Sequence, residues 1–190
     1  SPNGIIVVLN GFPGTGKLTL LRHLKELLPS DTTCLLHNHL LIDPVAAVIP
    51  DRSDEHHELR RLVRAPIFAA LRKKARDGYA ILMTACLAAN NERDNAFFEE
   101  HLDLVRGTNI PIIWVNTHCD QPILEQRLRS PGRWNGDKTK LTNVDLLRQI
   151  LHNHSLIKPD VLDKSLILVS ETIDVSGTVE QSVKQLVAIL

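Results

Sequence analysis

The sequence predicts an α/β protein built on an open sheet of five parallel strands. Five short apolar runs, rich in β-branched residues, read as strands that are covered on both faces. Segments with apolar residues at helical spacing follow these runs, and such alternation is typical of parallel sheets. We see no internal repeat and no long linker, so we expect a single domain over residues 1–190.

The elements can be placed in chain order from these patterns. The predicted strands lie at 5–9, 32–36, 79–87, 110–115 and 166–169. The predicted helices lie at about 20–28, 54–77, 97–105, 121–129, 142–151 and 179–190. Pro66 is expected to kink or divide the long second helix, and Thr142 with Asp145 resembles a capping box. The apolar stripe of that long helix is predicted to contain Leu59, Leu62, Val63, Ile67, Ala70 and Leu71.

Composition and charge exclude several classes of protein. Lys plus Arg and Asp plus Glu number 22 each, so the formal net charge is zero and a general polyanion binder is disfavoured. Cys34, Cys86 and Cys119 are widely spaced and odd in number, which favours reduced thiols over a disulfide framework. We find no apolar run of the roughly 20 residues that a membrane span needs and no signal-peptide pattern, so we expect a cytoplasmic protein.

The stretch GFPGTGK, residues 11–17, predicts a phosphate-binding loop. Its glycines allow turns that aim backbone N–H groups inward, the following helix adds its positive end, and Lys17 adds a cation for the terminal phosphates. The stretch lies between the first strand and a leucine-striped helix, which is the context that such a loop requires. The predicted nucleotide-binding residues are Gly11, Pro13, Gly14, Thr15, Gly16, Lys17, Leu18, Thr19 and Arg129.

Leu18 makes the metal site of this loop unusual. The residue after the lysine normally offers Mg²⁺ a hydroxyl oxygen, and leucine has none. Thr19 lies about 100° further around the helix and is poorly placed to replace it. The third strand also lacks an aspartate. We therefore expect Mg²⁺ to be held mainly by ATP phosphates and water, with one acidic residue from elsewhere.

Three stretches together resemble a known family. GFPGTGKLT, LLHNHLLIDPV and RLRSPGRWNGDKTKLTNVDLLRQIL are similar to small P-loop kinase-like proteins, akin to chloramphenicol phosphotransferase, shikimate kinase and gluconate kinase. The resemblance implies a three-layer P-loop nucleotide-kinase-like sandwich with strand order 2-3-1-4-5. It also implies a helical acceptor region at about 40–77, a lid at about 127–141, and transfer of the γ-phosphoryl group of ATP to a small acceptor.

Catalytic residues are expected near the loop and in the lid. Lys17 and the lid arginines Arg129 and Arg133 would stabilise the charge on the transferred phosphoryl group. The general base should follow the second strand, where Asp43 and His39 are nearly equal candidates and His37 ranks third. Asp43 is also the predicted Mg²⁺ residue, acting through water.

Alternatives remain open for the acceptor and for catalysis itself. Arg60 and Arg64 lie one turn apart, opposite the predicted apolar stripe; they either grip an anionic acceptor or form salt bridges with Glu55 or Glu58. The leading prediction is an ATP-dependent small-molecule kinase, with a nucleoside or nucleotide kinase as its variant. A protein that binds ATP as a switch, without catalysis, is the alternative from another class, and Leu18 favours it.

Overall fold

Five parallel strands form one sheet in the order β2-β3-β1-β4-β5. The computed structural model describes residues 4–130, 141–159 and 165–190. The predicted fold class and strand order are confirmed. The strands are β1 Ile5–Asn10, β2 Thr33–Leu36, β3 Ala80–Ala85, β4 Ile112–His118 and β5 Leu168–Asp174.

Helices cover both faces of this sheet, which makes three layers. α2, α3 and α4 pack on one face, while α1, α5, α6 and α7 pack on the other. Within the described residues, no helix is both long enough and apolar enough to cross a bilayer. The helices are α1 Lys17–Glu26, α2 His39–Val48, α3 Asp54–Arg76, α4 Glu92–Asp103, α5 Gln121–Arg129, α6 Val144–Asn153 and α7 Val179–Val187.

The central strand β1 explains why the predicted strands read as continuous apolar runs. Ile6 and Val8 belong to the core beneath α3 and α4, and Val7 and Leu9 belong to the core beneath α1 and α5. Successive side chains of a strand point to opposite faces, so a strand covered on both faces must be apolar at every position.

Two buried amides join the carboxyl ends of neighbouring strands. Asn10 Nδ2 donates to Asn116 Oδ1 at 3.0 Å and to the carbonyl of Leu87 at 3.2 Å. The N–H of Leu87 donates in return to Asn10 Oδ1 at 2.8 Å, and Asn116 Nδ2 donates to the carbonyl of Ile157 at 2.9 Å. The ends of β1, β3 and β4 are therefore held together directly below the glycine-rich loop.

The long helix α3 differs from its prediction in two ways. It runs without division from Asp54 to Arg76, with Pro66 inside it. The predicted apolar stripe is wrong, because Leu62 is 53% exposed and only Leu71 of the predicted set is buried. Polar side chains occupy the inner face of the N-terminal half, so hydropathy alone misplaced it. The buried residues of α3 are His56, Arg64, Phe68, Leu71 and Ala75.

Two further local predictions are corrected. The N-cap of α6 is Asn143, not Thr142, since the Asn143 side chain accepts a hydrogen bond from the N–H of Leu146 at 3.0 Å. The apolar patterns did not mark α2, which begins at His39 at the edge of the helical region that the resemblance implied. An extended strand would place His37 and His39 on one face, but His39 lies in the first turn of a helix instead.

His101 is a buried histidine packed among aromatic rings. Its ring lies 4.7 Å from that of Phe97, 5.3 Å from that of Phe68 and 5.6 Å from that of Trp114, measured between centroids. Nδ1 donates to the carbonyl of Phe97 at 2.8 Å. Burial, reinforced by the positive charge of Arg64, lowers the pKa of His101 from 6.5 to about 4, against the opposing effect of the Phe97 hydrogen bond.

We predict that His101 makes the protein sensitive to acid. His101 binds a proton near pH 6.5 in the unfolded chain and only near pH 4 in the folded chain. The free energy of unfolding should therefore be unaffected by His101 above pH 6.5 and should decrease as the pH falls from 6.5 to 4. The loss amounts to about 3 kcal/mol. Urea unfolding across this range measures it. His101→Gln should flatten the profile and the exposed His152→Gln should not; identical profiles for wild type and His101→Gln would contradict the prediction.

Candidate active site

A cleft of about 1410 Å³ lies at the carboxyl ends of the strands. Its walls come from the glycine-rich loop, the start of α2, the N-terminal half of α3, the end of β3 and the first turns of α4. Open parallel sheets bind ligands at this edge, because the loops that follow adjacent strands diverge there.

The glycines of the loop are required for different physical reasons. Gly14 and Gly16 have φ of 95° and 78°, a region that L-residues with side chains rarely adopt. Gly11 has no such φ, but a Cβ there would lie 1.9 Å from Thr117 Oγ1 and 2.9 Å from Thr15 Oγ1. The loop is therefore pressed against β4. Gly16 is also the N-cap of α1 and has no side chain, so in the described part of the chain the first N–H groups of α1 lack a side-chain cap.

Lys17 lies back across the loop. Its Nζ donates to the carbonyl of Gly11 at 2.6 Å, to that of Phe12 at 3.1 Å and to Thr15 Oγ1 at 3.3 Å. The ammonium group is thus held at the edge of the cleft by the loop itself. Gly16, Leu18 and Thr19, which begin the cradle for phosphate groups, line the same cleft.

A second hollow of about 210 Å³ adjoins the other side of the loop. Thr15, Gly16 and Thr19 line it from the loop and α1, and Arg127 lines it from α5. Arg127 Nη2 donates to the carbonyl of Val175 at 2.8 Å, so its guanidinium is fixed at the rim. The hollow has the size and the mixed polarity that suit a flat heterocycle.

His39 and Asp43 form a pair at the start of α2. His39 Nδ1 lies 3.3 Å from Asp43 Oδ1, one helical turn away. His39 lines the cleft, and the residues that line it do not include Asp43. The N–H of Asn38 donates to Thr84 Oγ1 at 2.9 Å, which fixes the beginning of α2 to the end of β3. The carboxylate therefore supports the imidazole, and the remaining ring nitrogen Nε2 is available to a ligand.

Asp94 is a lining carboxylate that the sequence patterns missed. It lies in the first turn of α4, and its Oδ2 accepts a hydrogen bond from the N–H of Ala88 at 2.9 Å. Burial raises the pKa of Asp94, while the Ala88 N–H and the charges of Arg60 and His154 oppose that rise. Its position after β3, behind the helix cap Asn91, is a signal that could have found it, because the ligand edge of the sheet lies there.

The arginines of α3 have different partners. Arg64 Nε and Nη2 donate to the two carboxylate oxygens of Glu100 at 2.9 and 2.7 Å, and its guanidinium lies 3.9 Å from the centroid of the Phe97 ring. Arg61 pairs with Glu58. The salt bridges predicted for Arg60 and Arg64 with Glu55 or Glu58 are therefore wrong. Arg64 is also buried, so its predicted place opposite the core face is wrong.

Arg60 has no hydrogen bond or ion pair among the residues that the structure describes. Its Nε atom is nevertheless buried. Burial, followed by the charges of Arg64 and Arg52, lowers the pKa of Arg60 to about 10, so it remains a cation at neutral pH.

The structure describes only part of the segment 127–141 that was predicted to form a lid. Arg133 and the rest of segment 131–140 lie outside the described residues. Arg129 is at the end of α5, where its side chain is 66% exposed and Nη2 lies 3.8 Å from Glu125 Oε2. Over the described ranges, no three His, Cys, Asp or Glu side chains are grouped so that they could hold a metal ion.

The comparison with family models is decisive. The model of the chloramphenicol phosphotransferase-like proteins matches residues 4–164. The chain belongs to the chloramphenicol phosphotransferase-like family. The predicted resemblance is thereby confirmed. Among curated proteins, none matches this chain at a significant level.

Solved structures confirm the P-loop kinase fold for this member of the chloramphenicol phosphotransferase-like family. A gluconokinase from Sinorhizobium meliloti 1021 matches with a TM-score of 0.60 at 14% identity, over 100% of this chain and 93% of that one. A thymidylate kinase from Candida albicans matches at 0.62 with 19% identity, over 100% and 92%. A shikimate kinase from Bacteroides thetaiotaomicron matches at 0.53 with 16% identity, over 97% of each chain.

We predict that Gly11→Ala damages the loop of this chloramphenicol phosphotransferase-like protein through Thr117. The new Cβ would overlap Thr117 Oγ1, and overpacking of this kind costs about 1–3 kcal/mol. Adding Thr117→Ala removes the overlapping oxygen and should recover part of the loss. Chemical denaturation of the two single variants and the double variant measures this coupling; purely additive effects would contradict the contact.

Proposed function

We propose that the protein is an ATP-dependent phosphotransferase that moves the γ-phosphoryl group to a hydroxyl of a small acceptor. One observation carries the proposal: the phosphate loop with Lys17 lines the same cleft as His39, whose Nδ1 is paired with Asp43. Phosphoryl transfer needs cations around the phosphates and a base near the attacking hydroxyl, and this cleft offers both. Membership of a family named for a phosphotransferase supports the same reaction class.

The nucleotide would bind across the loop. Its phosphates meet the N–H groups at the start of α1, where the helix end favours negative charge. Lys17 then exchanges the carbonyls of Gly11 and Phe12 for phosphate oxygens. The heterocycle fits the smaller hollow beside Arg127.

Magnesium fits this site as an ion held mostly by phosphate and water. When bound, Mg²⁺ neutralises the charge that develops on the transferred group. Leu18 offers no oxygen. Of the four carboxylates that line the cleft within the described residues, three are paired with arginines: Asp54 with Arg93, Glu58 with Arg61 and Glu100 with Arg64. Asp94, the fourth lining carboxylate, has no such partner in the described part of the chain and would meet the ion through water. Asp43 stays the sequence-based prediction for this role.

His39 is the proposed general base. The acceptor hydroxyl gives its proton to Nε2 as its oxygen attacks the γ-phosphorus, and the bond to the leaving β-phosphate oxygen breaks. Asp43 accepts a hydrogen bond from Nδ1–H and holds the ring in the orientation that this transfer needs. Asp43 is thus a positioning residue here. Arg129 and Arg133 remain predictions for stabilising the charge from the lid.

A switch that binds ATP without transferring phosphate is the second candidate. Leu18 favours it, since the loop lacks the oxygen that usually orients the metal. The two functions differ in turnover. A kinase consumes ATP together with an acceptor in a screen of metabolites with labelled ATP, whereas a switch binds ATP and labels none of them. A nucleoside or nucleotide acceptor is one outcome of the same screen.

We predict that Lys17→Ala abolishes stabilisation by ATP. At about one hundred times its Kd, a ligand stabilises by roughly 2.7 kcal/mol, which raises Tm by roughly 5–10 °C in a domain of this size. Thermal denaturation with and without Mg·ATP measures the shift. Lys73→Ala, which removes an exposed lysine of α3 outside the cleft, should retain it. An equal rise in the Lys17→Ala variant would refute the phosphate loop.

We predict that His39→Gln lowers kcat roughly 100- to 10,000-fold, the range of general base catalysis, and leaves ATP-induced stabilisation unchanged. Asp43→Asn should lower kcat less, by roughly tenfold, since it removes only the support of the imidazole. Single-turnover phosphorylation of an acceptor from the screen is the measurement. Asp94→Asn is the comparison: if it stops proton transfer and His39→Gln does not, Asp94 is the base and the assignment fails.

A further inference from the structure

The wall of the cleft carries more positive charge than its own carboxylates balance. Among the described residues, seven lysine and arginine side chains line it, against four aspartates and glutamates, although the whole chain has no net charge. Three of the arginines are neutralised in place, because Arg61, Arg64 and Arg93 each pair with a lining carboxylate. The excess positive charge therefore lies on the other four lining cations, which are Lys17, Arg22, Arg52 and Arg60.

Arg60 is the most confined of these remaining cations. Its Nε is buried without a hydrogen-bond partner among the described residues, and its side chain lines the cleft. A buried charged donor without a hydrogen-bond partner is unfavourable, because it has lost hydration and gained no replacement. Arg52 lines the same wall and has no ion pair in the described part of the chain. This arrangement is costly in the empty protein and becomes favourable when an anion enters.

The neighbouring charged groups do not neutralise Arg60. Arg64, one turn along α3, is occupied by both oxygens of Glu100 and by the face of Phe97. Asp94, on the facing helix, attracts Arg60 but forms no ion pair with it within the described residues. Glu100 also attracts Arg60, but its oxygens are engaged by Arg64.

A neighbouring histidine reports the same positive field. Burial and then the charges of Arg93 and Arg60, with smaller effects of His56 and Arg52, lower the pKa of His57, which lines the cleft beside them. Burial disfavours the charged form of His57, and the charges of Arg93 and Arg60 add to this effect because they repel a further cation.

We propose that Arg60, assisted by Arg52, binds an anionic group of the acceptor, a carboxylate or a phosphate. The inference rests on the proposed function, because it assigns the acceptor of that reaction to the hydroxylated anions. An acceptor bound in this way is held by its charge at α3 and presents its hydroxyl towards Lys17 and His39. Neutral alcohols would lack this contact.

The test separates the acceptor wall from the phosphate loop. The loop is first filled with Mg²⁺ and an ATP analogue whose γ-phosphate cannot be transferred, and isothermal titration then measures binding of inorganic phosphate and, separately, of succinate. We expect one or both anions to bind the loaded wild type. Arg60→Gln should weaken that binding at least about tenfold, the range of a charge-assisted hydrogen bond.

Two variants are the controls. Arg76→Gln removes an exposed arginine from the same helix outside the cleft and should bind the anions as wild type does. Arg60→Lys keeps the charge but loses the planar fork, and it should bind with intermediate affinity. The tighter of the two anions identifies whether the acceptor carries phosphate or carboxylate.

Each result bears on one proposal or the other. Equal binding by Arg60→Gln and wild type, or no binding of either anion to the loaded wild type, overturns the anionic acceptor. Failure of the ATP analogue to bind overturns the proposed function instead. In that event the same titrations on unloaded Lys17→Ala protein still decide the role of Arg60, because the loop cation is then absent.

Discussion

The amide of Asn10 is the interaction on which the cleft depends. It lies fully buried at the end of the central strand and satisfies donor and acceptor groups from β3 and β4 at once. A buried amide left without partners costs about 1–3 kcal/mol, so these strand ends are fixed to one another and not merely adjacent. The phosphate loop starts at the next residue. This junction therefore sets the position of the loop and its close approach to Thr117. It also sets the positions of the residues after the loop and of the walls of the cleft.

The two ends of the cleft differ in the source of their positive charge. At the loop, positive charge comes from backbone N–H groups and one lysine, which suits a phosphate chain of any identity. At α3, it comes from arginine side chains in different settings: Glu100 neutralises Arg64, whereas Arg60 has no ion pair among the described residues. The arrangement at the loop can bind any phosphate chain, whereas the arrangement at α3 is specific for particular ligands. This difference supports the two binding sites that we propose, one for the nucleotide at the loop and one for the acceptor at α3.

The sequence predicted the fold, but it did not predict how the residues of α3 that line the cleft are arranged. The reason is physical. A buried strand is easy to recognise in a sequence because each of its positions is apolar. The phosphate loop is easy to recognise because certain of its positions must be glycine. The inner face of α3 leaves none: Arg64 is buried through a carboxylate 36 residues away in sequence, which no periodicity can reveal. The pairing of His39 with Asp43 was likewise hidden, since it depends on α2 beginning at His39 and not after it. Asp94 was missed because its burial depends on tertiary packing, which the sequence pattern does not show.

Pro66 gives α3 an uneven stiffness along its length. A proline inside a helix removes one backbone hydrogen bond, here the one its missing N–H would have donated to the carbonyl of Leu62. The C-terminal half beyond it is anchored in the core by Phe68, Leu71 and Ala75, while the half before it carries the cleft arginines. The missing hydrogen bond therefore lies at the boundary between the half of α3 that is anchored in the core and the half that lines the cleft. A helix yields most easily where its ladder of hydrogen bonds is interrupted, so we expect this boundary to absorb any adjustment of the wall to a ligand.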